Sequence, residues 1–149
     1  MRIVVQRVKN CSVYIKGIPV GEISYGLLVY LGVEKGDSST DLNYLQKKII
    51  GLRIFNDQNG QMNLSVKDID ASIMVVSQFT ICANTKKGNR PSYNNAEKPE
   101  TAKKMYQNFI EKLKETGLNV QSGKFQETME VSYINDGPVT ILLDSRKIF

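Results

Sequence analysis

Gly26-Leu27-Leu28-Val29-Tyr30-Leu31-Gly32-Val33 holds no charged side chain across eight positions. It lacks the two-residue alternation of a strand with one wet face, so it reads as a strand buried on both faces. On its N-terminal side, Ile3, Val4, Val5, Val8, Val13 and Ile15 form a β-branched segment interrupted at Lys9-Asn10. That segment predicts two strands joined by a tight turn, and Gly17 and Gly21 punctuate a short third strand.

On the other side, after the polar EKGDSST, Leu42, Leu45, Ile49 and Leu52 recur at spacings of three and four. The spacing predicts an amphipathic helix of about three turns, with Ser38, Ser39 or Thr40 as its N-cap. LRIF reads as a strand, and the Asn-Gly of Asp57-Gln58-Asn59-Gly60 marks a hairpin into MNLSV. A further strand is predicted over Ala71–Thr80, followed by the turn-rich loop 84–98. A second helix starts with Pro99 at its first position and stops at Gly117, with Ala102, Met105, Tyr106, Phe109 and Leu113 on one face. Two or three strands, over NVQSGKF, MEVSYIN and PVTILLD, end the chain. The pattern is α+β: a mixed, largely antiparallel sheet, curled or barrel-like, covered by two main helices.

The 149 residues fit one domain, 1–149, with 41% hydrophobic and 23% charged residues. Histidine is absent, which removes Ser-His-Asp and Cys-His catalysis, an imidazole base and His-ligated metals. Cys11 and Cys82 form no CxxC pair, so neither a zinc site nor a redox pair is expected, and no cofactor is implied. Charges interrupt the apolar start MRIVVQRV, so a soluble, cytoplasmic protein with no membrane segment is expected. A net charge of +5 and a pI near 9.2 favour a polyanionic partner.

Three stretches suggest chemistry. Ser77-Gln78-Phe79-Thr80 ends the apolar IMVV strand with three hydrogen-bonding side chains. Asn135-Asp136-Gly137-Pro138-Val139-Thr140 places Gly-Pro between two strong β segments, and by itself predicts a plain trans turn. The loop with Lys86, Lys87, Arg90 and Tyr93 offers cations for phosphate and an aromatic for a base. Each also has a structural reading, as a strand end, a turn and a solvated loop.

Taken together, these stretches resemble the D-aminoacyl-tRNA deacylase family. The resemblance runs through MRIVVQRV, GLLVYLGVEKGD, LRIFNDQNGQMNLS, VVSQFTICANTKKGNRPSY and NDGPVTILLDS, essentially the whole chain, and includes both family signatures, SQFT and NxGPVT. It implies a homodimer that hydrolyses the ester between a D-amino acid, or glycine, and the terminal adenosine of tRNA. Gly137-Pro138 then matches the cis dipeptide that each subunit inserts into its partner's site to hold the amino group and exclude an L side chain. Arg7 matches the residue that steadies it. Ser77, Gln78, Phe79 and Thr80 match the opposite wall and the catalytic positions, while Phe125 and Met129 belong to a stretch that holds the adenosine. Ile81, where the family usually has Leu, and Thr128, where it more often has a small residue, depart from the pattern.

Physical reasoning favours such an arrangement. An apolar pocket reads chirality poorly, because both enantiomers bury the same side chain and a methylene discriminates by only ~1–3 kcal/mol. A rigid backbone clash reads it better and still admits glycine. Thr80 lacks a neighbouring base and is a poor nucleophile. The favoured expectation is therefore substrate assistance by the ribose 2′-OH, with backbone N–H groups near Phe79 and Thr80 stabilising the oxyanion. Three other readings remain open from sequence: a nucleic-acid-binding module without catalysis, a dimeric interaction domain, and a related deacylase that edits L-aminoacyl-tRNA.

Overall fold

The computed structural model of the chain describes residues 1–148. Its first strand, β1 (Arg2–Ile15), is central: β2 (Ile18–Ile23) and β3 (Gly26–Gly32) pair with it along one edge. The predicted turn at Lys9-Asn10 is a correction. The chain runs straight through, because Arg2–Val8 pairs with β3 and Cys11–Ile15 pairs with β2, so Lys9-Asn10 lies where β1 changes partner. The burial alternation slips there, with Arg7 and Val8 both buried and Lys9 and Asn10 both exposed. The hairpin turn falls instead at Lys16-Gly17, both at positive φ (50° and 75°), the geometry that matches the twist of paired strands.

Helix α1 (Ser39–Gly51) is capped by Ser38, whose side chain accepts from the Thr40 amide while Asp41 reaches back to the Ser38 amide. This reciprocal capping box satisfies donors that the first helical turn leaves open. The strand predicted over LRIF shrinks to β4 (Phe55–Asn56), paired with β5 (Met62–Leu64), because the Ile54 carbonyl is taken by the Arg7 guanidinium at 2.6 Å. β6 (Ser72–Ser77) runs parallel to β3 and stops three residues short of the expected end. Gln78 N donates to Leu31 O (2.8 Å), and the chain then turns into a 3₁₀ turn, Phe79–Cys82. That turn lies directly on Gly32: a Cβ there would sit 2.6 Å from Ile81 Cγ1 and 2.7 Å from Cys82 Sγ, so only glycine fits.

Helix α2 (Pro99–Lys114) follows, with proline in its first turn as expected. Then come β7 (Val120–Ser122), parallel to β6, and β8 (Glu130–Asp144), antiparallel to β1 on its free edge. The two strands expected at MEVSYIN and PVTILLD are one. Val8 pairs with Asn135 and Gln6 with Thr140, so Asp136, Gly137, Pro138 and Val139 face the single residue Arg7 and must bulge outward. The Gly137-Pro138 bond is cis, against the trans turn read from the residues and in agreement with the resemblance.

The sheet is mixed and nearly closes into a barrel. Gly21 of β2 returns so near β6 and β7 that a Cβ would lie 3.0 Å from Ser122 O and 3.2 Å from Met74 Cε. β3 is buried on both faces as predicted. Leu27, Val29 and Leu31 pack with Ile3, Val5, Ile73 and Val75 against Leu45 and Ile49 of α1 and Phe109 and Leu113 of α2. Leu28 faces the barrel interior with Val8, Cys11, Val13, Ile23, Met74 and Val76. No helix among the described residues is long and apolar enough to cross a membrane.

Candidate active site

β6 delivers Ser77 and Gln78 to the rim of a cleft of about 570 Å³, and the 3₁₀ turn adds Phe79. Phe125, Thr128 and Met129, from the turn between β7 and β8, form the facing wall. Thr80 is not among the lining residues, but Gln78 Nε2 donates to its Oγ1 at 2.5 Å, so one amide fixes the hydroxyl just behind the rim. The Phe79 and Thr80 amides head the turn, where the first N–H groups have no partner within the helix. Phe79 is 58% exposed, an unusual state for a phenylalanine, and meets Tyr93 edge to face at 5.1 Å. Tyr93 thereby connects the basic loop to the cleft, whereas Lys86, Lys87 and Arg90 stay outside it.

Tyr106, Pro99, Glu97 and Glu127 are among the cleft residues that escape the sequence reading. Tyr106 of α2 buries its ring against Phe125 (5.7 Å) and donates to Val75 O at 2.9 Å. Burial pushes its phenol up to about 12, so it remains a neutral donor. The helix spacing marked Tyr106 as core, and nothing in its spacing distinguishes a core position from one at the cleft floor. Pro99, Glu97 and Glu127 also line the cleft, brought there by the start of α2 and by a turn. Glu97 Oε1 accepts the Lys98 amide at 2.7 Å.

Cys82 is fully buried behind the turn, and burial pushes its thiol up to about 11. It is a packed, protonated side chain.

Arg7 and Gly137-Pro138 lie elsewhere. Arg7 is 6% exposed; it donates to Ile54 O and, at 3.3 Å, to Asn56 Oδ1, and its Nε lies 2.8 Å from Asp136 Oδ2. That last contact is an ion pair without hydrogen-bond alignment, since the same nitrogen has no hydrogen-bond partner. Tyr25 Oη donates to Asp136 Oδ2 at 3.2 Å. Asn135 Nδ2 closes the base of the bulge by donating to Arg7 O (2.9 Å) and Val139 O (3.2 Å). Gly137 and Pro138 themselves are exposed, and a Cβ on Gly137 would meet only Asn135 Oδ1, at 3.9 Å.

The chain therefore divides the expected site in two. Ser77 pairs through Leu31 with the level of Ile3, while the bulge sits at Arg7. Between them lie three strand spacings, about 14 Å, and four residues of strand, about 13 Å. Neither Arg7, Gly137 nor Pro138 lines the cleft of its own chain.

A model of the family described as D-Tyr-tRNA(Tyr) deacylase matches residues 4–144. The chain is 52% identical over 149 residues to a D-aminoacyl-tRNA deacylase of Thermosipho africanus (strain TCF52B), covering all of both chains. A protein of the same name from Flavobacterium psychrophilum (strain ATCC 49511 / DSM 21280 / CIP 103535 / JIP02/86) is 55% identical over 147 residues, 98% of each. Among solved structures, the "c-Myc DNA Unwinding Element Binding Protein" superposes with a TM-score of 0.92 at 39% identity, over 97% of this chain and 98% of that one. A probable eukaryotic D-amino acid tRNA deacylase shares the fold, with a TM-score of 0.82 at 14% identity over 95% and 97%. A family match spanning nearly the whole chain, joined to full-length identities above one half, places it firmly: the chain belongs to the D-Tyr-tRNA(Tyr) deacylase family.

Proposed function

We propose that this chain hydrolyses the ester of D-aminoacyl-tRNA, and of glycine mischarged on tRNA, releasing free amino acid as a chirality check in the cytoplasm. It acts as a homodimer in which Gly137-Pro138 of each subunit completes the cleft of its partner. One observation carries this reading: the cleft is open, the dipeptide is exposed and unobstructed, and the two are far apart on a single chain. A second copy brings them together without any rearrangement of the bulge.

In that arrangement the Arg7–Asp136 pair, Tyr25 and Asn135 hold the dipeptide rigidly, so that its backbone meets an L side chain and leaves room for a D one. The wall of Ser77, Gln78 and Phe79 faces the ester, and Phe125 and Met129 receive the adenosine. The Thr80 hydroxyl already accepts the Gln78 amide, so it orients substrate and does not attack it. The ribose 2′-OH assists water, and the amides of Phe79 and Thr80 meet the developing oxyanion, where preorganised donors act most strongly. Positioning supplies much of the remaining acceleration for an already labile ester.

The test is deacylation of D-Tyr-tRNA against L-Tyr-tRNA by chelator-treated protein. Discrimination is expected beyond the roughly 10–200-fold that a methylene-sized difference in a pocket supplies. Faster turnover of L-Ala-tRNA than of D-Tyr-tRNA would overturn it in favour of an L-editing deacylase. The assistance step has its own test. A tRNA ending in 2′-deoxyadenosine should be cleaved on the order of 10²-fold more slowly; normal cleavage would move the base to the protein, to the rim carboxylate Glu127 first.

A second reading, nucleic-acid binding without hydrolysis, is favoured by the name of the 39% identical solved relative. Salt-sensitive tRNA binding with no release of amino acid would support it.

A further inference from the structure

The wall of the main cleft continues past its rim. Tyr106, Phe125 and Glu127 line both that cleft and a second hollow of about 420 Å³. Lys103, Gln107 and Lys114 stand along its side at helical spacings on α2. Lys124, just beyond β7, faces the same hollow from another element. Two carboxylates also face it, Glu111 and Glu127. Glu111 is occupied by Lys114, at 3.1 Å, whereas Lys103 and Lys124 are exposed and pair with no carboxylate among the described residues. An open trough with two unpaired ammonium groups, running on without a break from the rings of Tyr106 and Phe125, suits a chain that carries one negative charge per unit and enters from the cleft.

We propose that this hollow is the path of the single-stranded 3′ end of an RNA whose terminal nucleoside lies in the main cleft, with Lys103 and Lys124 neutralising the phosphates next to it. The inference rests on the reading under Proposed function and adds a subsite to it. Tyr106 and Phe125, shared by both hollows, mark the point where the terminal nucleoside hands over to the preceding nucleotide. The lysines read phosphate and no base, so this subsite contributes affinity for any tRNA end and leaves chirality to the cleft.

The test compares kcat/KM on D-aminoacyl-tRNA with kcat/KM on the D-aminoacyl ester of adenosine, which has no phosphate. In the double variant Lys103→Ala/Lys124→Ala, the ratio of the two should fall roughly tenfold, and the salt dependence for tRNA should become shallower by about 1.4 in log–log slope, two single-strand phosphates' worth. Lys103→Glu should lower the ratio further. Lys104→Ala, exposed on the same helix but outside the hollow, serves as the control for net charge. An unchanged ratio and slope, an equal loss on both substrates, or an equal effect of Lys104→Ala overturns the proposal. Binding of uncharged tRNA carries the same slope test independently of hydrolysis. A wild-type protein that cleaves neither ester refutes the functional reading, and the slope then decides the subsite separately.

Discussion

At the Gly137-Pro138 bulge one carboxylate gathers a buried guanidinium and a tyrosine hydroxyl, and an asparagine amide bridges two backbone carbonyls. At the cleft, by contrast, the 3₁₀ turn is secured by backbone bonds, one amide–hydroxyl contact and a long bond from Arg2 to Ile81 O (3.4 Å). Phe79 stands largely in solvent. The first region is tied down by side chains from several segments of the chain; the second is a more open wall. A gate that must reject an enantiomer needs stiffness, because a clash discriminates only if the obstacle does not move. A wall that must accept many side chains needs none. Substitutions of the side chains that tie the bulge down should therefore cost stability, whereas those at its exposed tip and at the cleft should cost activity.

The largest expected effect tests the first half of that contrast. Arg7→Ala leaves Asp136 half-buried without its cation and strips partners from Ile54 O and Asn56 Oδ1. Breaking a buried pair in this way costs about 3–5 kcal/mol, which a urea midpoint at unchanged slope would report. Arg7→Lys keeps the charge but cannot span three acceptors, and should recover only part of the loss. A midpoint within error of wild type for Arg7→Ala would erase the difference between the regions.

The contrast also explains what the sequence disclosed. GLLVYLGV, IMVV, the Ser38 cap and the apolar faces of both helices were legible because each is a local pattern whose period announces its burial. The unbroken course of β1 was not, since Lys9-Asn10 looks like a turn until β2 and β3 are seen to divide one edge between them. Asn135 and Asp136 look like ordinary turn formers. Their roles depend on Arg7 lying opposite, more than 120 positions away in the chain, and no local signal carries that. SQFT was legible as a motif, but the remaining lining of Tyr106, Pro99, Glu97 and Glu127 is assembled by tertiary contact alone.

Next in size is the loss expected at the tip of the bulge. Gly137→Ala adds a methyl group that meets only Asn135 Oδ1 within its own chain, so stability should stay within ~0.5 kcal/mol. In the dimer proposed above that methyl would enter the space reserved for the substrate, and D-Tyr-tRNA turnover should fall on the order of 10²-fold. A variant as active as wild type would show that the tip does not approach substrate. Smaller again, Thr80→Ala removes a hydroxyl held by Gln78 but no base. Turnover should drop by roughly tenfold, the scale of one hydrogen bond, with the thermal midpoint little changed. A complete loss of activity would make Thr80 the nucleophile and end the substrate-assisted account.

The smallest expected effect is also the sharpest probe of stiffness. Tyr25 packs its ring edge-on against Phe55 (5.4 Å) while its hydroxyl donates to Asp136. Burial raises the phenol above its ordinary range, Arg7 opposes that, and Asp136 adds to the rise. The neutral donor form is thus favoured by folding: its contribution is complete below the unfolded pKa of about 10 and is lost as pH climbs through the folded one. Tyr25→Phe keeps the ring contact and deletes only the hydroxyl. It should cost about 0.5–1.5 kcal/mol and abolish the alkaline decline in stability that this residue contributes. If the Arg7–Asp136 pair alone fixes the bulge, the ratio of D- to L-aminoacyl-tRNA turnover will not change. If stiffness is shared, as the convergence on a single carboxylate implies, that ratio falls in Tyr25→Phe even at neutral pH, where most molecules remain folded. Selectivity then tracks the number of ties on Asp136.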